Sequence, residues 1–405
     1  MLAPSTPSPL SLALEPDAFP SRRKRRRFTL DGSDALEQHL GRSCASALAG
    51  TERIVGPRNL EALLLGGGYG RGEGGVLKTE DGERPYNDLE FYVFVAGNRL
   101  RNQRRHGAAL HALARTLASS AGVDVEFKIT SMAHWRRCAI SMFSYDLMLG
   151  HHSLGRGPAE FTDCEHHFQA QNIPLAEATR LLMNRFSGLL FAQEKLAARP
   201  FTVEASDFVE RNLAKAQLAL GDAVLAARGQ YHWSCLERQE RLQRTIFGEL
   251  LPWRTALLGH HAAGMEFKLH PRRTEAAPAV LQARLNGLIF LGLRLWLWLE
   301  GRRLGVAFQT ARDYCISRID KCPETLRWRN VLVNGYVLFP ERFILSRCWR
   351  HPRERVLTAL AWLLWEQPST EDEEAIRQLQ FELSSHARTP AGLTSAYRSL
   401  WQHFS

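Results

Sequence analysis

The 405-residue chain reads as α+β, with a small mixed sheet near the N-terminus followed by a large all-helical region. Two patterns predict this. Apolar and alternating strand runs are confined to residues 62–130, and helical periodicity takes over beyond Pro174 and persists to the end. The length suits two to three domains, each long enough to bury a core. The expected division is a basic disordered tail at 1–30, a small-sheet domain at 31–165, and a helical domain at 170–405 that could comprise two sub-bundles.

The first 27 residues carry six basic side chains, Arg22 to Arg27 with Lys24 among them, against Glu15 and Asp17. They supply +4 of the net +10, and the Pro- and Ser-rich stretch before them has too little apolar periodicity to build a core. The run Arg22 to Arg27 is a candidate contact for nucleic acid. Its charges follow the modest apolar stretch Leu10–Leu14 instead of preceding it, so no cleavable signal is expected.

An amphipathic pattern predicts a helix over Asp34–Leu48, and Ala62–Leu65 reads as a buried strand. A glycine-rich loop follows, with Val76–Tyr86 read as polar loop and Asp88–Val95 as a second strand. A helix around Gly107–Ser120, a strand over Val123–Thr130 and a helix near Trp135–Leu149 complete this region. Beyond Pro174, a helix runs to Leu196 before Arg199-Pro200 stops it. The next is expected to begin near Asp207, where Asp207 and Glu210 have capping-box spacing, and to end at Gly229. Further helices are expected near 232–258, 278–300, 304–316, 353–366 and 370–386. Val280–Leu299 is apolar enough to consider as a membrane span, but Arg284, Asn286 and Arg294 interrupt it, which predicts a buried helix and no span.

The chemistry-bearing stretch is residues 62–95. Leu63-Leu64-Leu65 runs into Gly66-Gly67-Gly68-Tyr69-Gly70-Arg71-Gly72, whose backbone N–H groups can approach an anion without obstruction by Cβ. Asp88 and Glu90 then sit two apart on a strand, sharing one face with Cα atoms roughly 6.6 Å apart. That spacing suits divalent cations, which lie about 4 Å apart in two-metal phosphoryl-transfer sites. Val123–Ile129 alternates too, placing Asp124, Glu126 and Lys128 on one face. The dinucleotide, Walker and protein-kinase patterns fail on their flanking residues. Seven scattered cysteines without a C-x-x-C give neither a disulfide framework nor a zinc knuckle, and fit a reducing cytoplasm.

Gly67-Gly68, Gly72 and Asp88-Leu89-Glu90, with the later acids Asp124 and Glu126, resemble the nucleotidyltransferase superfamily built on the polymerase-β palm. Gly68 stands where many members carry Ser, and Glu90 where the second acid is often Asp. The resemblance implies a palm domain, a helical region that helps close the cleft, and a Mg²⁺-dependent transfer of NMP from an NTP such as ATP to an unidentified acceptor hydroxyl. It implies that Asp88 and Glu90 ligate metal, with two ions expected, and that Asp124 or Glu126 completes the site or activates the nucleophile. Gly67, Gly68, Arg71 and Gly72 would hold the nucleotide. The alternatives are a nucleotide-binding regulatory protein without turnover, and a nucleic-acid-associated protein that uses the basic tail.

Several other residues read as structural. Asp146, Lys215, Asp222 and Tyr231 are expected on helix surfaces or in packing, as are the pairs His151-His152, His166-His167 and His260-His261. Trp296 and Trp298 are expected in a core or interface.

Overall fold

A computed structural model describes residues 27–155, 161, 163–273, 276–338 and 347–404. The chain is α+β, with a four-stranded mixed sheet, a separate two-stranded hairpin and an extensive helical part. The run Arg22–Arg26 lies outside the described residues. Arg27 to Leu30 do not belong to a disordered tail: Phe28 stacks on His152 at 4.8 Å, and the Phe28 and Thr29 amides donate to the Glu37 carboxylate at 2.8 and 2.9 Å.

Helix α1 (Asp34–Val55) packs Leu36, Leu40, Cys44 and Ala47 against the sheet. Strand β1 (Leu60–Leu65) is buried on both faces, which explains its unbroken leucines. Leu63 and Leu65 enter the core beneath α1, while Ala62 and Leu64 enter a second core on the opposite side. The glycines next form a five-residue helix, α2 (Gly67–Arg71), instead of an open loop. Val76–Tyr86 is likewise no loop, since β2 (Val76–Thr79) and β3 (Gly82–Pro85) pair as an antiparallel hairpin.

Strand β4 (Leu89–Val95) lies antiparallel to β1. Helix α3 (Arg99–Ala121), capped by Asn98 and closed by Gly122 at φ +73°, crosses back so that β5 (Val125–Thr130) joins β4 in parallel. Two short helices, α4 (Met132–Trp135) and α5 (Met142–Leu149), cover the second face where one longer helix was expected. Strand β6 (His152–Ser153) completes the order β5-β4-β1-β6.

The helical part shares one apolar core from α5 onward. Helix α6 (Leu175–Ala197) packs along α7 (Val203–Ala227). Helix α7 starts earlier than the capping-box spacing implies, because Thr202 accepts from Ala205 N–H at 3.2 Å. Asp207 instead pairs with Arg211 at 3.0 Å and accepts from the Tyr86 hydroxyl at 3.2 Å, tying the hairpin to α7. The helix expected over 232–258 is interrupted: α8 (Cys235–Arg244) ends at Thr245, a 3₁₀ segment holds Pro252, and α9 (Arg254–Leu269) follows.

Helix α10 (Pro278–Leu304) is long and apolar enough to cross a membrane, yet Leu281, Leu285, Leu288, Trp296 and Leu299 are buried in the helical core. Helices α11 (Ala311–Ile316), α12 (Arg327–Leu338), α13 (Arg353–Ala361), α14 (Glu373–Leu383) and α15 (Pro390–Trp401) follow; α11 packs on α10, α13 packs on α11, α14 and α15, and α13 runs on into a π-turn over Trp362–Glu366 that also meets α10.

Candidate functional site

A cleft of about 1250 Å³ opens between the sheet and helices α6, α7 and α9. The pleat of β4 sends Leu89 and Phe91 into the α1/α3 core, which turns Asp88 and Glu90 to the opposite face. The parallel register of β4 with β5 sets Glu90 opposite Glu126 and Tyr92 opposite Lys128. One carboxylate oxygen each from Asp88, Glu90 and Glu126 lies within 4.8 Å of the others. Asp124 is outside this group. Its carbonyl accepts from Leu89 N–H at 2.9 Å, and its carboxylate lines the cleft with no partner among the described residues. Glu126 does not line the cleft; its side chain is 54% exposed at the sheet edge.

The charges at this face are unequally compensated. Lys128 Nζ stands 3.0 Å from both Glu90 Oε1 and Glu126 Oε2. Burial pulls the Lys128 pKa down, but Glu90 and the adjoining groups overcome it and hold the ammonium above its usual range. Asp88 has no ion pair or side-chain hydrogen bond among the described residues. Burial, and then the neighbouring Glu90, push its carboxyl above the ordinary aspartate value. Lys215 and Lys128 offset the rise in Asp88 only in part, and the three converging carboxylates could hold a metal ion, with Lys128 the competitor such an ion would meet.

Gly67 and Gly68 form the adjoining wall. Gly67 adopts φ +63°, and a Cβ there would lie 3.1 Å from Glu90 Oε2, so a side chain would crowd the acids. A Cβ at Gly68 would lie 3.1 Å from the Glu73 carbonyl oxygen, which leaves little room for the Ser found in the resembled family. Gly72 closes α2 in the left-handed conformation and does not line the cleft, a capping role in place of the expected nucleotide contact. Arg71 lines the cleft but is largely buried, with its guanidinium 3.3 Å from Asp146 and 3.8 Å from Glu73.

The helical wall is where the sequence reading missed most. Lys215 and Asp222 of α7, Tyr231 after it, Arg185 of α6 and Lys268 of α9 all line the cleft. Neither Arg185 nor Lys215 has an ion pair or side-chain hydrogen bond among the described residues. The Lys215 pKa is lowered by burial and by Arg185 and Arg211, and Asp88 only partly offsets this. Lys268 Nζ is buried without a hydrogen bond, 4.0 Å from Glu73, and burial and then Arg71 lower its pKa.

Deeper in, Asp146 accepts from Tyr231 Oη at 3.2 Å, Arg238 donates to Tyr231 Oη and to Asp222 at 2.8 Å, and His261 lies 3.3 Å from Asp222. This chain of contacts joins α5, α7, α8 and α9, so Asp146, Asp222 and Tyr231 hold the inner end of the cleft together. The histidine pairs join no three-ligand cluster among the described residues. Trp296 is fully buried, and Trp298 donates to Glu249 at 2.8 Å, as expected of packing residues.

No family model, curated protein or solved structure matches the chain. Fold and site together define an α+β protein with an acid-bearing sheet face and a cation-bearing helical wall across one cleft.

Proposed function

We propose that the chain is a metal-dependent nucleotidyltransferase, moving a nucleoside monophosphate from an NTP to an acceptor hydroxyl with release of pyrophosphate. The observation that carries the reading is the convergence of Asp88, Glu90 and Glu126 beside Gly67-Gly68, opposite the partner-free cations Arg185 and Lys215. Asp88, Glu90 and Glu126 would hold Mg²⁺, which supplies charge neutralisation on the phosphates when bound. Arg185 and Lys215, with the backbone N–H groups of Gly67 and Gly68, are suited to the polyphosphate. Asp124, at the cleft and without an ion pair among the described residues, is suited to take the acceptor's proton.

Incubation with labelled NTPs, Mg²⁺ and a panel of hydroxyl acceptors tests this. Transfer and pyrophosphate release are expected from the native chain and not from Asp88→Ala/Glu90→Ala. Transfer that survives the double change sinks the assignment.

One observation favours a second reading. Lys128 already bridges Glu90 and Glu126, an internal cation in the place of metal, as in a nucleotide-binding protein that no longer turns over. Calorimetric NTP binding with no pyrophosphate release across the panel would support that reading.

A further inference from the structure

A second cavity, of about 350 Å³, lies between α6, α12 and the start of α13, beside the C-terminal residues that follow α15. Its polar side chains are Arg180 and Asn184 on α6, His351 and Arg353 at the start of α13, and His403. Val333, Val337 and Phe404 supply an apolar wall, and among the described residues no carboxylate lines the space.

Arg353 distinguishes this cavity from an ordinary surface hollow. The neighbouring arginines of this region are paired: Arg303 with Glu300, Arg347 with Glu382 and Arg350 with Glu354, each at 2.6 Å. Arg353 has no ion pair or side-chain hydrogen bond among the described residues, and its Nε is buried without a partner. A partly buried guanidinium that has lost some of its water and gained no ion pair is a ready partner for an anion. Burial, helped by Arg180, pulls its pKa below the usual arginine value against the opposing pull of Cys322, Glu324 and Glu177.

The surroundings are arranged for the same charge. Arg180 is fixed at 2.6 Å from Glu177, which occupies only part of its five-donor fork. His351 Nδ1 accepts from the Arg353 backbone N–H at 3.1 Å, so its proton resides on Nε2 and makes that atom a donor. The Phe404 ring meets His351 edge-on at 5.8 Å.

We infer that this cavity binds an organic oxyanion, a phosphate or carboxylate carried on an aromatic or aliphatic body, with Arg353 and Arg180 on the anion and Val333, Val337 and Phe404 on the body. Arg180 and Asn184 line both cavities, one helical turn apart, so the occupant adjoins the main cleft. The inference stands whether or not the cleft transfers nucleotides.

The test uses the full chain carrying Arg185→Ala/Lys215→Ala, which removes two cations of the main cleft that have no ion pair among the described residues. Phenyl phosphate and benzoate are titrated by calorimetry, and thermal melting is followed in parallel. One of the probes is expected to bind, and which one does identifies the oxyanion. Adding Arg353→Gln is expected to weaken it at least tenfold while leaving Tm unchanged or raised, because a partly buried cation with no ion pair among the described residues has been removed. Binding of neither probe, equal affinity in both backgrounds, or a fall in Tm accompanying the loss each overturns the inference.

Discussion

Glu73 shows how single side chains set the electrostatics of the cleft. Burial acts to raise its pKa, but Lys268, Arg71, the Cys235 N–H at 3.0 Å and the Ser234 hydroxyl together bring it from 4.5 down to about 2. An acid with a depressed folded-state pKa contributes stability that is complete above pH 4.5 and is lost as the pH falls toward about 2. Glu73→Gln is expected to cost about 3 kcal/mol at neutral pH, since Lys268 and Arg71 lose their shared counter-charge. Denaturant unfolding at pH 7 and at pH 3 checks this: the difference between native and variant should shrink at the lower pH. Lys128 acts with the opposite sign on the candidate metal site. Lys128→Met is expected to tighten Mg²⁺ binding by roughly 1 kcal/mol, about fivefold, a figure that allows for solvent screening of this partly exposed pair. Calorimetry showing equal affinity would mean that Lys128 does not compete with the ion.

Among the elements, the approach of α9 to α7 decides where Lys268 stands. Gly264 permits it, because a Cβ there would lie 2.5 Å from Leu218 N and 2.7 Å from Ala214 O. Gly264→Ala must separate two helix backbones, at a cost on the order of 1–3 kcal/mol. A drop in Tm is expected, because the shift also carries Lys268 away from Glu73; an unchanged Tm would refute the close-contact account. Other elements show why some of the fold was legible and some was not. Strand β5 was readable because its alternation has the period of a pleated strand, and β4 because it is a short apolar run, buried on both faces, that follows an acid pair two residues apart. Helix α2 was hidden by its glycines, which have poor helical propensity; Gly70 is needed there because a Cβ would lie 2.2 Å from Leu65 O. Helix α12 was missed for another reason. Its Trp328, Leu332 and Tyr336 are exposed, while Asn334 is buried and donates to the carbonyls of Cys348 and Arg350 at 3.1 and 2.8 Å. Reversing apolar-in and polar-out removes the signal that a periodicity reading relies on.

At the scale of the whole molecule, the described fold begins at Arg27. Arg27 donates to the Gly32 carbonyl and pairs with Asp34 at 3.3 Å, so a deletion that spares the fold ends at residue 26. Removing 1–26 is expected to leave Tm unchanged. If the run serves nucleic acid, the deletion should also abolish the salt-dependent part of RNA or DNA binding in filter-binding or anisotropy titrations. Binding with an unaltered salt slope would rule out that role for the tail.

What the sequence determined by itself was local: the acids at 88 and 90 on one strand face, the candidate acids at 124 and 126, the α+β class and the long helices of the C-terminal region. These follow from periodicity, which a chain carries along its own length. The tertiary structure decided that Glu126 joins the acidic cluster while Asp124 lines the cleft, since that depends on the register between β4 and β5. It also decided that Arg185, Lys215 and Lys268 line the opposite wall, and that Arg71 is tied to Asp146 instead of lying on the surface. The polar face of an amphipathic helix reads the same whether it meets bulk water or a cleft, and only the packing of α6, α7 and α9 against the sheet side of the molecule distinguishes the two.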